Sequence, residues 1–187
     1  MRPIAQVVVP PDSLLKTFRG GRHPELWQDY HDSFAVLVDA AVSLPEFVVA
    51  FYTSPLFKLE RLVLRLLAGA PSSDAEVAAL AAGSQNTFAV WAVGERTATQ
   101  LLMCDRYGKT RSWFQVLPRN AGGQLQTVLQ FGSAVAARRS ATGTMRMAGS
   151  FKVLLGLHRL YSRLLLRAAR RGVVSRRAPP RNRRGTR

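Results

Sequence analysis

No acidic residue follows Asp105. The stretch from there to Arg187 carries 19 Lys and Arg with no Asp or Glu to oppose them, whereas the first 105 residues hold 8 basic and 11 acidic side chains. The chain is thus a charge dipole, and its C-terminal end attracts polyanions or an anionic membrane surface. Cysteine is almost missing as well. Cys104 stands alone, which excludes an internal disulfide and a Cys-rich metal site, fits a reducing compartment, and reads as a small buried strand residue. Long apolar runs are absent: Lys58, Glu60, Arg61 and Arg65 interrupt one apolar region, and Arg159, Arg163 and Arg167 interrupt the other. The start, apolar only from Ile4 to Val9 before Pro10-Pro11, does not resemble a secretory signal. These absences predict a soluble cytoplasmic protein, attached to a membrane at most peripherally. No P-loop, dinucleotide Gly fingerprint or Ser, His and Asp spacing occurs, and Gly20-Gly21 and Gly122-Gly123 read as turn glycines. No reaction follows from the motifs.

What is present suits one domain with tails. A chain of 187 residues, 47% hydrophobic, can bury one proper core. Of its 27 basic residues 23 are arginine, a bias that a G- and C-rich genome also produces. Residues 1–25 mix Pro, Gly and Arg without periodicity and read as a loosely ordered arm. Residues 26–171 form the domain, and 172–187 read as a disordered Arg-rich tail.

Within the domain, Phe34, Val36 and Val38 alternate as in a strand. From Leu44 the spacing becomes helical. Pro45 suits a first turn, Ser54-Pro55 divides the segment, Gly69 and Pro71 end it, and Ser72 or Ser73 with Glu76 opens a short Ala-rich helix. Strands are predicted at Phe88–Val93, Thr97–Cys104, Arg111–Leu117 and Leu125–Val135. The Gly-containing turns between them are short enough to force an antiparallel meander. A last helix, about Phe151 to Arg171, places Leu154, Leu155, Leu157, His158, Tyr161, Leu164 and Leu165 on one side and Arg159, Arg163, Arg167 and Arg170 on the other, with Gly172 as its stop. The fold class is therefore α+β, an antiparallel meander wrapped on a long C-terminal amphipathic helix, with helices between the first and second strands.

That order resembles the helix-grip superfamily of START-like, Bet v 1-like and polyketide-cyclase-like (SRPBCC) proteins. More narrowly, Tyr30-His31-Asp32-Ser33-Phe34 and Leu157-His158-Arg159-Leu160-Tyr161 with Arg163 and Leu164 to Leu166 look like an uncharacterised bacterial family within it. The resemblance covers roughly residues 28 to 170. It implies an apolar cavity between sheet and final helix, able to take a lipid, isoprenoid or aromatic ligand, and no fixed catalytic set.

Candidate ligand-binding residues are Trp91, Trp113, Phe131, Leu154, His158 and Tyr161, because aromatics supply apolar walls with a polar handle. Trp113's neighbour Phe114 belongs with them. His158, in an apolar arc, is the one candidate for acid or base work. Asp29, His31 and Asp32 form a compact cluster too small to hold a metal, so Asp32 reads as a turn or cap residue on a solvated loop. No cofactor is called for. Arg159, Arg163, Arg167, Arg170, Arg176, Arg177, Arg183 and Arg184 make a basic surface. The functional expectation is a binder or carrier of an apolar small molecule or lipid. The alternatives are a cyclase- or dehydratase-type enzyme using His158, and a basic adaptor to an anionic membrane or, non-specifically, to nucleic acid.

Overall fold

The computed structural model describes residues 3–21, 30–135 and 149–177 of the chain. Strand β1 (Ala5–Gln6) and the single-turn helix α1 (Leu14–Thr17) precede β2 (Tyr30–Val38). Helices α2 (Leu44–Tyr52), α3 (Pro55–Ala68) and α4 (Asp74–Ala82) follow. Then come β3 (Thr87–Phe88), β4 (Trp91–Arg96), β5 (Gln100–Asp105), β6 (Thr110–Ala121), β7 (Gln124–Val135) and the long helix α5 (Gly149–Arg177). The strands form one seven-stranded open antiparallel sheet in the order β1-β2-β7-β6-β5-β4-β3. The architecture is α+β, as the alternation of patterns predicts.

Local chemistry explains the helix boundaries. Ser43 opens α2 with a capping box, its backbone N–H donating to Glu46 Oε2 at 2.8 Å while Pro45 occupies the first turn. Ser54 caps α3 by accepting from the Phe57 N–H at 3.3 Å, so Ser54-Pro55 does divide the two helices. Gly69 closes α3 in the left-handed conformation (φ 58°), and Ser73 with Glu76 opens α4. In the sheet, the expected strand Phe88–Val93 is broken by Ala89 at φ 52°, and β3 and β4 pair as a tight hairpin. The expected turn at Gly94–Arg96 lies inside β4, where the register shifts between Val93 and Glu95. Thr97 Oγ1 instead makes the turn, accepting from the Gln100 N–H at 3.0 Å, which shortens β5 to start at Gln100.

The two faces of the sheet are covered differently. On the inner face Phe34, Phe131 and Phe114 stand side by side across β2, β7 and β6. Phe51 of α2 packs on that row, with ring centroids 4.7 Å from Phe131 and 4.8 Å from Phe114. On the outer face Trp113, Leu102 and Ala134 are buried under Val9, Leu14 and Leu15. The N-terminal arm is therefore not loose over residues 3–21. Its elements are too short to show a period, yet they shield the outer face, and Gln100 Oε1 anchors them by accepting from the Leu14 N–H at 2.9 Å.

Helix α5 covers the inner face beside α2, in a phase other than the one its leucines suggest. Ser162, Leu165, Leu166, Ala169 and Val173 are buried, while Leu157, Leu160 and Leu164 are exposed. The cause is close approach: a Cβ on Gly172 would stand 3.4 Å from the Ala50 Cβ, so small residues of α5 meet α2. Gly172 thus lies inside the helix and not at its stop. The final turn holds on as well, since Arg176 donates to Thr53 Oγ1 at 2.8 Å and Arg177 pairs with Glu46 at 2.5 Å.

Candidate functional site: an aromatic chamber with a buried polar wall

A cavity of ≈ 230 Å³ lies between the inner sheet face and helices α2, α3 and α5. Phe51, Phe57, Phe131 and Leu165 give it apolar walls, and Trp91, Glu60, Ser133, His158 and Tyr161 contribute polar atoms. Strand alternation decides which expected residues reach it. Phe131 and Ser133 project from β7 to the inner face, and Trp91 reaches the chamber from β4. Trp113 does not, because it pairs with Gly132 on the outer parity, where its Nε1–H donates to Gln100 Oε1 at 2.7 Å. Phe114 shares the inner face but belongs to the packed core. The Leu154 side chain lies outside the described residues.

The polar wall is a chain of hydrogen bonds. Asp32, buried in β2 and not on a solvated loop, accepts from Ser133 Oγ at 2.7 Å and from Tyr30 OH at 2.8 Å. His158 Nε2 lies 2.7 Å from the same Ser133 oxygen. A serine hydroxyl has one proton. With that proton given to the Asp32 carboxylate, the imidazole is the donor and Nε2 carries its hydrogen. Arg159 Nε donates to Tyr30 OH at 2.7 Å and completes the chain towards solvent. Burial pushes the Tyr30 phenol up to about 12, so it stays a donor to Asp32. Burial also lowers the His158 pKa, against the opposing pull of Asp32, and keeps the ring neutral to lower pH.

One turn further along α5 from His158 stands a second pair. Tyr161 OH donates to Glu60 Oε2, and burial raises the Glu60 carboxyl above the ordinary range while that hydrogen bond partly offsets it. Trp91 Nε1 is buried and has no hydrogen-bond partner among the described residues. The chamber therefore offers a neutral imidazole and a carboxyl drawn towards its protonated form, both against aromatic walls. It does not have the arrangement of a nucleophilic serine, since the Ser133 proton points to a carboxylate and not to an acceptor imidazole.

Of the basic residues, Arg159, Arg163 and Arg167 are exposed on α5, with Arg163 5.6 Å over the Phe34 ring. Arg170 is half-buried; Arg176 and Arg177 belong to the helix and not to a tail. Arg183, Arg184, Asp29 and His23 lie outside the described residues, and His31 is exposed on β2. Cys104 is half-buried in β5, and burial raises its thiol pKa, which disfavours the reactive thiolate. Sequence reasoning missed Glu60 and Ser133 as site residues. Glu60 sits at the one acidic position of a leucine-rich helix, a signal that could have marked it. Ser133 gives none. No protein-family model matches this chain, and no curated protein matches it.

Proposed function

We propose that the protein binds and carries a compact, mostly apolar small molecule in the chamber between the sheet and helices α2, α3 and α5. The observation that carries this reading is the cavity itself, an aromatic chamber into which His158, Glu60 and Tyr161 bring a few polar groups. A polar atom of a ligand would pair with those groups while its apolar body filled the space. At ≈ 230 Å³ the chamber falls below the ~300–1,000 Å³ usual for drug-sized ligands, which favours a ring-sized molecule over a long acyl chain. The helix-grip reading is supported by the strand order, with β2 beside β7, helices between β2 and the meander, and α5 across the inner face. Native mass spectrometry of gently purified protein tests the proposal: a stoichiometric adduct of ring-sized mass, lost when Ser112 in the chamber wall is replaced by a bulky side chain (Ser112→Phe), supports it. A bare chain that also fails to bind 1-naphthol or indole contradicts it.

One observation favours a second reading, a cyclase- or dehydratase-type enzyme. Glu60 and His158 face one apolar chamber, where burial shifts the carboxyl up and the imidazole down, as it does for groups used in general acid and base catalysis. Turnover of a bound hydroxy or carbonyl compound that is lost in both His158→Gln and Glu60→Gln, with binding retained, distinguishes it from carriage.

A further inference from the structure

Helix α3 turns its polar side inwards. Phe57, Glu60, Arg61 and Leu64 face the protein, while Leu59, Leu62, Val63, Leu66 and Leu67 fall in one arc on the outside. Leu66 is 72% exposed and Leu67 84%. Isolated exposed leucines are ordinary, but five exposed apolar residues in one outward arc of a single helix make a surface for a partner to cover. At the start of α3, Pro55 and Leu56 share a groove with Leu164 of α5. Leu157 and Leu160 are also exposed on α5, Leu160 in a second groove beside Pro3 and Ile4.

The charges around this surface indicate what covers it. Arg65 is exposed on α3, and Arg163, Arg167 and Arg171 are exposed on α5, the last two lining the same groove as Leu164. The acids nearby are already engaged: Glu60 faces the chamber, and Asp74 pairs with Lys58 at 2.7 Å and Arg61 at 2.5 Å. A second copy carries the same formal net charge of +16, so like charge opposes self-association. An apolar stripe edged by guanidinium groups is the pattern of an interfacial helix on anionic lipid, the leucines entering the acyl boundary and the arginines meeting phosphates.

We infer that α3, with the adjoining exposed Leu164 of α5, docks the protein on an anionic bilayer. The inner side of the same helix supplies Phe57 and Glu60 to the chamber, so docking sets the chamber wall against the lipid. The test is co-sedimentation of the full chain with vesicles of phosphatidylcholine and phosphatidylglycerol, and with phosphatidylcholine alone. The wild type should bind the anionic vesicles and largely ignore the neutral ones. The double variant Leu62→Ser with Leu66→Ser keeps every arginine and removes only exposed side chains, so its thermal midpoint should not change. Its partitioning onto anionic vesicles should fall by at least ~10-fold. Undiminished binding by the double variant would overturn the inference and assign adsorption to charge alone. So would a wild-type dimer in sedimentation equilibrium that the double variant converts to monomer while neither binds vesicles.

Discussion

Ser133 has one proton to give and two buried neighbours to satisfy. Its hydroxyl donates to Asp32 and accepts from His158, so Ser133→Ala would strip a partner from both at once. The expected cost is about 1–3 kcal/mol, read from urea unfolding, and larger than for Ser112→Ala in the same wall. His158 also sets an acid sensitivity. Its folded pKa is lowered, so the unfolded chain binds more protons as pH falls below the ordinary histidine range, and stability drops through that window. His158→Gln should flatten that part of the stability profile. Glu60 behaves in the opposite sense. Its raised folded pKa means that the protonated carboxyl is the one the fold prefers; this stability is full below the ordinary carboxylate range and is lost as pH rises through the folded value. Glu60→Gln should therefore gain stability over wild type at neutral pH and lose that advantage in acid. An equal difference at both pH values would show that Glu60 is not desolvated.

At the scale of elements, α5 provides the sharpest contrast. Leu166 is fully buried and Leu164 is 42% exposed. Leu166→Ala should cost about 2–5 kcal/mol, while Leu164→Ala should change stability by less than about 0.5 kcal/mol. Equal effects would mean that the helix phase is wrong. Relative to a chain ending at Arg177, one ending at Arg171 loses the buried Val173 and the Arg177–Glu46 pair, and should lose about 1–3 kcal/mol, mostly from the valine. The helices α2 to α4 were legible because Ser43, Ser54, Ser73 and Gly69 carry their boundaries in adjacent residues. The phase of α5 was not, because its broadest apolar arc includes leucines directed outwards, while Gly172 meets Ala50. Helix α1 and strand β1 gave no signal at all, since two to four residues are too few for any period.

For the whole molecule, the long-range contacts decide the site. Asp32 and Ser133 meet across 101 residues of sequence, and Tyr161 and Glu60 across another 101. No local pattern announces such pairs, and they follow only once the register of β2 on β7 and the seat of α5 are fixed. The aromatic wall was partly readable, because Trp91, Phe131, His158 and Tyr161 all reach the chamber. Trp113 failed by a single step of strand parity. The measurement that bears most directly on ligand carriage is a calorimetric titration of wild type, Trp91→Phe and Ser112→Phe with 1-naphthol. Ser112 lines the chamber, so phenylalanine there should fill it. The wild type should bind in the micromolar range, near −8 kcal/mol, Trp91→Phe about 10-fold more weakly for want of part of its aromatic wall, and Ser112→Phe not at all while keeping its fold. Equal binding by all three proteins would place the ligand elsewhere, and no binding by the wild type would remove the case for a carrier.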